Sequence, residues 1–201
     1  MMKIKKIELD RFEEVVEVHM QAFPAFFLTR MGPAFLKIYY KTVSQMPDGI
    51  VLGAYDECDH LVGFCAATAR CHGFNKRLLL RNFFTYGMLA VRVLFTNFSA
   101  IIHILKNLSK KSEQIEDAGE YAELLSIAVS PAAQGRGVGK QLLAELEAQA
   151  LILATGEISL TTDADNNEKT IGFYKSVGYE IFYEFITYPA RKMLRMNKRL
   201  Q

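Results

Sequence analysis

Residues 121–153 read YAELLSIAVSPAAQGRGVGKQLLAELEAQALIL, and three patterns follow one another there without a break. The stretch from Tyr121 to Val129 is a nine-residue apolar run of the kind expected for a central strand buried on both faces. Ser130 and Pro131 end it, and glycines follow at 135, 137 and 139. Beyond them Val138, Leu142, Leu143, Leu146, Ala150 and Leu153 fall on one face of a helix, with Lys140, Glu145 and Glu147 on the other. A strand that runs into glycines and then a helix aims free backbone N–H groups and the positive end of the helix dipole at one point. An anion belongs there.

Working outward from this stretch, helical and extended patterns alternate. Lys3 to Leu9 alternates like a strand. Asp10 followed by Glu13 has the spacing of a capping box and predicts a helix through about Phe23. Pro33 opens a second helix, PAFLKIYYKTVSQM, which Pro47 and Gly49 stop. Ile50–Tyr55 and Leu61–Thr68 are apolar runs separated by DECDH, a hairpin signal. On the other side come a strand (157–162), a polar turn (163–167), a helix to Val177 and two β segments beginning near Tyr179 and Arg191. The expectation is an α/β fold, with a mixed central sheet of about six to seven strands flanked by helices.

Composition bounds the rest. A chain of 201 residues, half of them hydrophobic and 23% charged, suits one domain of its own core. The net charge of +2 argues against a nucleic-acid partner, and the basic run Arg191, Lys192, Arg195, Lys198, Arg199 reads as a solvated edge. Three cysteines without a CxxC pair and four scattered histidines predict neither a metal site nor a disulfide framework. MMKIKKIELD lacks the apolar stretch of a signal peptide, so the cytoplasm is the expected location. Phe83 to Leu105 approaches the length of a membrane span, yet Arg92 sits near its middle. Arg81, Thr85, Arg92, Thr96, Ser99, His103, Lys106 and Lys110 fall on one helical stripe, so the segment reads as an amphipathic helix.

Spacing separates the anion loops. A Walker A loop needs glycine where Gln134 stands, and Ser or Thr where Gln141 follows Lys140. The dinucleotide fingerprint from Gly135 would put its third glycine on Lys140. What remains, Gln134, Gly137 and Gly139 in the pattern Gln/Arg-x-x-Gly-x-Gly/Ala, resembles the pyrophosphate loop of the GNAT N-acetyltransferase superfamily. AELLSIAVSP resembles that family's fourth strand. NNEKTIGFYKSVGYE, with Asn167 seven residues before Tyr174, resembles its Asn-x-x-x-x-x-Phe-Tyr-x-x-x-Gly-Phe/Tyr block. The resemblance covers about residues 121–184. It leaves out 71–120, so residues 72–118 are expected to be a helical apolar insertion before the fourth strand, within a single domain.

The resemblance implies residue roles. Acetyl-coenzyme A is the implied co-substrate. Ile127, Ala128 and Val129 would face its pantetheine arm, and the amides of Gly135, Arg136, Gly137, Val138, Gly139 and Lys140, beside Gln134, would hold its pyrophosphate. Arg136 would add a charge-assisted contact. Glu123, a carboxylate inside an apolar run, needs a partner, a raised pKa or access to water. It is a candidate general base or a solvated carboxylate at the strand's start, with Asp163 in reserve. Tyr174 is the candidate general acid toward the departing thiolate, against plain packing, and Asn167 is a cofactor contact or a helix cap.

Three functions stay open: an N-acetyltransferase for a primary amine of a small molecule or amino sugar, a protein N-acetyltransferase, and a non-catalytic coenzyme A binding module. Phe23, Phe26, Phe27, Tyr39 and Tyr40 are read mostly as core, and His72 and His103 receive no role. For residues 78–108 a lid or homodimer contact ranks above contact with a membrane surface.

Overall fold

One seven-stranded sheet, ordered β1-β2-β3-β4-β5-β7-β6, organises the chain in this computed structural model, which describes residues 2–24, 26–83, 118–187 and 190–201. The strands are β1 Lys3–Lys6, β2 Gly49–Tyr55, β3 Leu61–Thr68, β4 Ala122–Val129, β5 Glu157–Asp163, β6 Glu180–Thr187 and β7 Arg191–Arg199. The helices are α1 Phe12–Ala22, α2 Phe27–Arg30, α3 Pro33–Ser44, α4 Phe74–Arg81, α5 Val138–Ile152 and α6 Glu168–Ser176. Residues 84–117, most of the expected insertion and nearly all of the segment weighed as a membrane span, lie outside the described residues. Among those that are described, no helix is long and apolar enough to cross a membrane.

Adjacent strands pair antiparallel everywhere except β4 with β5, which run parallel. A parallel pair needs a crossover, and α5 supplies it. On one side of the sheet Leu142, Leu143, Leu146 and Ala150 of α5 pack with Tyr174 of α6 and with Ala122, Leu124, Ile158, Leu160 and Met196 of the strands. On the other side Phe12, Val15, Val16 and Val18 of α1 and Leu36, Tyr40 and Val43 of α3 close over Val51, Phe64, Ala66 and Ala128. The helical periods predicted for these elements are what put one apolar stripe of each against the sheet.

Four expectations need correction. Arg11, not Asp10, precedes α1 at the capping position and no side chain caps the helix; Arg11 instead bonds Glu14 and Asp59 and lies over the Tyr55 ring, which sets the entry of the chain. The basic C-terminal run is not an edge and only partly solvated: β7 lies between β5 and β6, and Arg191, Arg195 and Lys198 pair with Asp163, Glu123 and Glu147, while Lys192 and Arg199 are exposed. Leu153 is 42% exposed because α5 ends at Ile152. Most residues of β4 are only half-buried, not sealed on both faces.

Gly63 on β3 ties the sheet to α5. A Cβ there would lie 3.0 Å from the Ala128 carbonyl oxygen, 3.3 Å from Val138 Cγ1 and 3.4 Å from Leu142 Cδ1. Gly63→Val is expected to cost roughly 1–3 kcal/mol of overpacking, lowering the Tm by about 3–10 °C in a thermal melt. Gly156→Ala, whose Cβ meets nothing within 4 Å, is expected to leave it within about 2 °C.

Candidate active site

The site begins where two strands stop pairing. β4 and β5 are in register only at Ala122↔Ile158, Glu123↔Ser159 and Leu124↔Leu160. β3 continues to hold β4 out to Gly63↔Val129, while β7 holds β5 out to Asp163↔Met193. Each strand is therefore fixed from its outer side as the inner ladder ends, and residues 125–129 border a gap. A register shift opposite Ala66 and Ala67 puts a bulge at Leu125, where the gap opens. Backbone groups on an unpaired strand edge seek a partner from outside the sheet.

The glycine loop lies beyond the open end of β4. Ser130 donates its amide to the Val62 carbonyl at 2.8 Å, and Pro131–Ala133 form a 3₁₀ turn that buries Ala133. Val138 is buried on the far side of the loop, 1% exposed, while Gln134, Gly135, Arg136 and Gly137 between these anchors are exposed. Gly135 and Gly137 have φ of 77° and 76°, a conformation that costs an L-residue about 1–2 kcal/mol. The first bond back from α5 into the loop is Gln141 N–H to the Gly137 carbonyl, so the amides of Val138, Gly139 and Lys140 make up the open first turn. Gly139 serves packing as well: its Cβ would sit 3.2 Å from Phe173 Cζ on α6. Gln134 bends back and donates to the Val129 carbonyl at 3.3 Å, one of the groups expected to face pantetheine.

Glu123 lies on the last paired stretch before the gap. Its carboxylate accepts from Arg195 at 2.9 Å and from the Cys71 thiol at 3.1 Å, and its side chain is 19% exposed. Of the three conditions that a carboxylate in an apolar run can satisfy, it has a partner. Arg195 also reaches Ser159, so one cation spans β7, β5 and β4 at the base of the gap. Asp163 at the far end of β5 is held at two points by Arg191, through Nε and through Nη2 at 2.6 Å. Ile127 and Val129 are half-buried toward the α5 and α6 side, and Ala128 faces α1 and α3.

On α6, Asn167 occupies the capping position without capping. Its amide donates to Thr162 Oγ1 at 2.7 Å and to the Asp163 carbonyl at 3.0 Å, tying the helix start to the end of β5. Tyr174 lies two turns on, on the same face, about 10 Å along the axis. It is 6% exposed, packs edge-on to Tyr179 with ring centroids 5.8 Å apart, and burial pushes its phenol up to about 12. The phenol is a hydrogen-bond donor throughout the physiological range.

Three polar residues near the gap carry no functional assignment from the sequence: His19 on α1, Tyr40 on α3, which reads there as core, and Ser126 on β4. His19 and Tyr40 are buried and bonded to each other at 2.8 Å, and Tyr40 bonds Ser126 at 3.0 Å. Two local signals existed. His19 interrupts the apolar stripe of Val15, Val16 and Val18, and Ser126 interrupts the apolar run of β4. Elsewhere, a cleft of about 600 Å³ lined by Met46, Asp48, Arg70, Arg77, Tyr121 and Thr155 opens at the other end of β4, away from the glycine loop. Two of its charged lining residues, Arg77 and Asp48, pair with each other at 2.6 Å. Asp56, Cys58 and His60 gather on the exposed β2–β3 turn, where Asp56 already accepts from the amides of Cys58 and His60 and so braces the turn.

Known proteins resemble the chain in sequence and in fold. An uncharacterized protein of Mycobacterium leprae (strain TN) is 49% identical over 61 residues, a stretch that makes up 30% of this chain and 16% of that protein. The chain thus spans about a sixth of that relative's length. The ribosomal-protein-S18-alanine N-acetyltransferase of Escherichia coli superposes with a TM-score of 0.61 at 15% identity, covering 100% of this chain and 95% of that one. The PaiA N-acetyltransferase of Thermoplasma acidophilum, solved in complex with coenzyme A, gives 0.58 at 16% identity with 99% of each chain covered. An aminoglycoside 6'-acetyltransferase type Ii gives 0.62 at 16% identity, covering 99% of this chain and 97% of that one. The sequence profile of the acetyltransferase (GNAT) family matches residues 12–179, and the chain belongs to that family.

Proposed function

We propose that this protein is an acetyl-coenzyme A-dependent N-acetyltransferase acting on a primary amine of a small molecule or amino sugar. The observation that carries the reading is the coincidence of two anion- and amide-seeking features at one end of β4: the unpaired edge of residues 125–129 and the open first turn of α5 behind Gly137. A ligand with a pyrophosphate at one end and an amide-bearing arm at the other matches both. In this reading the amides of Gly135, Arg136, Gly137, Val138, Gly139 and Lys140, beside Gln134, hold the pyrophosphate, with Ile127, Ala128, Val129 and Asn167 along the arm. The backbone at the Leu125 bulge lies where an N–H can stabilise the carbonyl oxygen as charge develops. Coenzyme A supplies an activated acetyl thioester; the residues orient it and handle protons.

Glu123 is the proposed acceptor for the first proton of the incoming ammonium, and Arg195 keeps its carboxylate aligned on the gap side of β4. Tyr174 donates a hydrogen bond to the departing sulfur. A phenol near 12 is a weaker acid than a thiol near 8.5, so it stabilises the thiolate without fully protonating it. Residues 1–201 are proposed as one domain with the helical insertion at 72–118. The three free cysteines suit a reducing compartment such as the cytoplasm. A protein acceptor is the second reading, favoured by the E. coli neighbour, whose name specifies an alanine of a ribosomal protein.

Titration calorimetry is expected to give roughly micromolar affinity for acetyl-coenzyme A. Gly137→Glu puts a carboxylate at the anion site and a side chain at positive φ, and is expected to weaken binding by about 100-fold or more. Wild-type protein without affinity for any coenzyme A species would contradict the reading. In a thiol-release assay over spermidine, kanamycin and an N-terminal-alanine peptide, Tyr174→Phe is expected to lower kcat about 10-fold and Glu123→Gln about 100-fold. Both should leave the affinity for acetyl-coenzyme A within about 3-fold. Full activity of Glu123→Gln would remove Glu123 from the proton path.

A further inference from the structure

From the open part of β4 a buried chain of polar groups runs into the α1–α3 layer. Ser126 Oγ lies 3.0 Å from Tyr40 Oη, Tyr40 Oη 2.8 Å from His19 Nδ1, and His19 Nε2 3.1 Å from Thr29 Oγ1. Thr29 Oγ1 donates to the Phe23 carbonyl at 2.5 Å. Tyr40 is fully buried and His19 is 1% exposed, whereas Ser126 is half-buried.

Counting donors sets the direction of this chain. Thr29 has one hydroxyl proton and a carbonyl only accepts, so that proton is committed to Phe23. Thr29 Oγ1 must therefore accept from His19 Nε2–H. Burial lowers His19 to about 4, which makes the ring neutral near pH 7 and leaves Nδ1 without a proton. Nδ1 then accepts from the Tyr40 hydroxyl, and the Tyr40 oxygen accepts from Ser126. Each of the four side chains in this chain then has a partner, and Ser126 Oγ keeps the capacity to accept. Reversing the two hydroxyls gives the ordering in which Tyr40 donates to Ser126, and this is the ordering that follows once Nδ1 carries a proton.

We propose that Ser126, backed by Tyr40 and His19, accepts the second proton lost by the acceptor nitrogen as it becomes an amide. The inference rests on the acetyl-transfer reading. Its placement argument is that Ser126 sits at the bulge, on β4 beyond the last pair with β5, and faces α1 and α3. Its neighbours Ile127 and Val129 pack toward α5, the helix that carries the glycine loop. A thioester entering the gap from the loop side meets its amine across β4, on the side of Ser126. An ammonium must lose two protons on the way to an amide, and Glu123 is assigned only the first.

In the step itself the nitrogen lone pair forms the C–N bond and the C–S bond breaks with its electron pair staying on sulfur, which Tyr174 hydrogen-bonds and water protonates. The nitrogen proton passes to Ser126 Oγ as the Ser126 proton passes to Tyr40 and the Tyr40 proton to His19 Nδ1. Burial disfavours the imidazolium, so its proton runs back through Tyr40 to Ser126 and leaves from Ser126 to water that enters the gap as the product departs. Ser126 is the catalytic residue of this path; Tyr40 and His19 act through it.

Two measurements test the relay. Imidazole ¹⁵N spectra of the wild-type protein are expected to show His19 protonated at Nε2 and bare at Nδ1, with the Nδ1 shift moving in Tyr40→Phe. A ring protonated at Nδ1 overturns the proposal, whether or not any amine is acetylated. With an amine from the assay above, Ser126→Ala and Tyr40→Phe are expected to lower kcat about 30-fold at an unchanged KM for acetyl-coenzyme A. A curved proton inventory in mixtures of light and heavy water should become linear in both variants. Normal kcat and an unchanged inventory in Ser126→Ala, the half-buried position whose truncation leaves the core intact, also overturn it. Failure of acetyl-coenzyme A binding in wild-type protein would instead defeat the reading on which the relay rests.

Discussion

The premature end of the β4–β5 ladder is the constraint on which the rest depends. After Leu124↔Leu160 the two central strands share no register, yet both stay extended because β3 and β7 grip them from outside. A gap in the middle of a sheet exposes backbone groups whose desolvation without partners costs on the order of 1–3 kcal/mol each. A fold that keeps such a gap needs something to fill it. The two cores brace the strands on either side of it: α5 and α6 pack on one face, α1 and α3 on the other.

Charge placement follows from the same geometry. Arg195 crosses from β7 over Ser159 to Glu123 where the ladder is still intact, so the least exposed ion pair among the described residues sits at the base of the gap. Arg191 and Asp163 form the corresponding pair at the far end of β5. These contacts stitch the diverging strands across their faces. They also tie the basic C-terminal strand to the elements beside it: Arg191, Arg195 and Lys198 each reach a carboxylate from an element far away in sequence.

How much of this was legible beforehand depends on range. The glycine loop, its helix and the gross order of strands were readable because their signals are local: spacing of glycines, apolar period and Pro or Gly punctuation. The gap was not. An apolar run such as AELLSIAV states that a strand is covered, but it carries no sign that the neighbour covering it departs after three residues. Glu123 was readable as a carboxylate in need of a partner, whereas its partner lies 72 residues on. His19, Tyr40 and Ser126 each look like single polar intrusions in apolar patterns, and only folding brings Tyr40 to Ser126 across 86 residues. The capping-box spacing at Asp10 misled for the opposite reason, since Arg11 uses tertiary contacts with Asp59 and Tyr55 that outweigh a local cap.

The central claim is that the unpaired edge of β4 and the open turn of α5 form one ligand site. Amide hydrogen exchange by mass spectrometry, with and without acetyl-coenzyme A, tests it at peptide resolution. Slower exchange is expected in residues 125–129 and 135–140 together, with the outer strand β6 unchanged. Protection confined to the cleft around Tyr121 and Thr155, or no change in β4 at saturating ligand, would contradict the account.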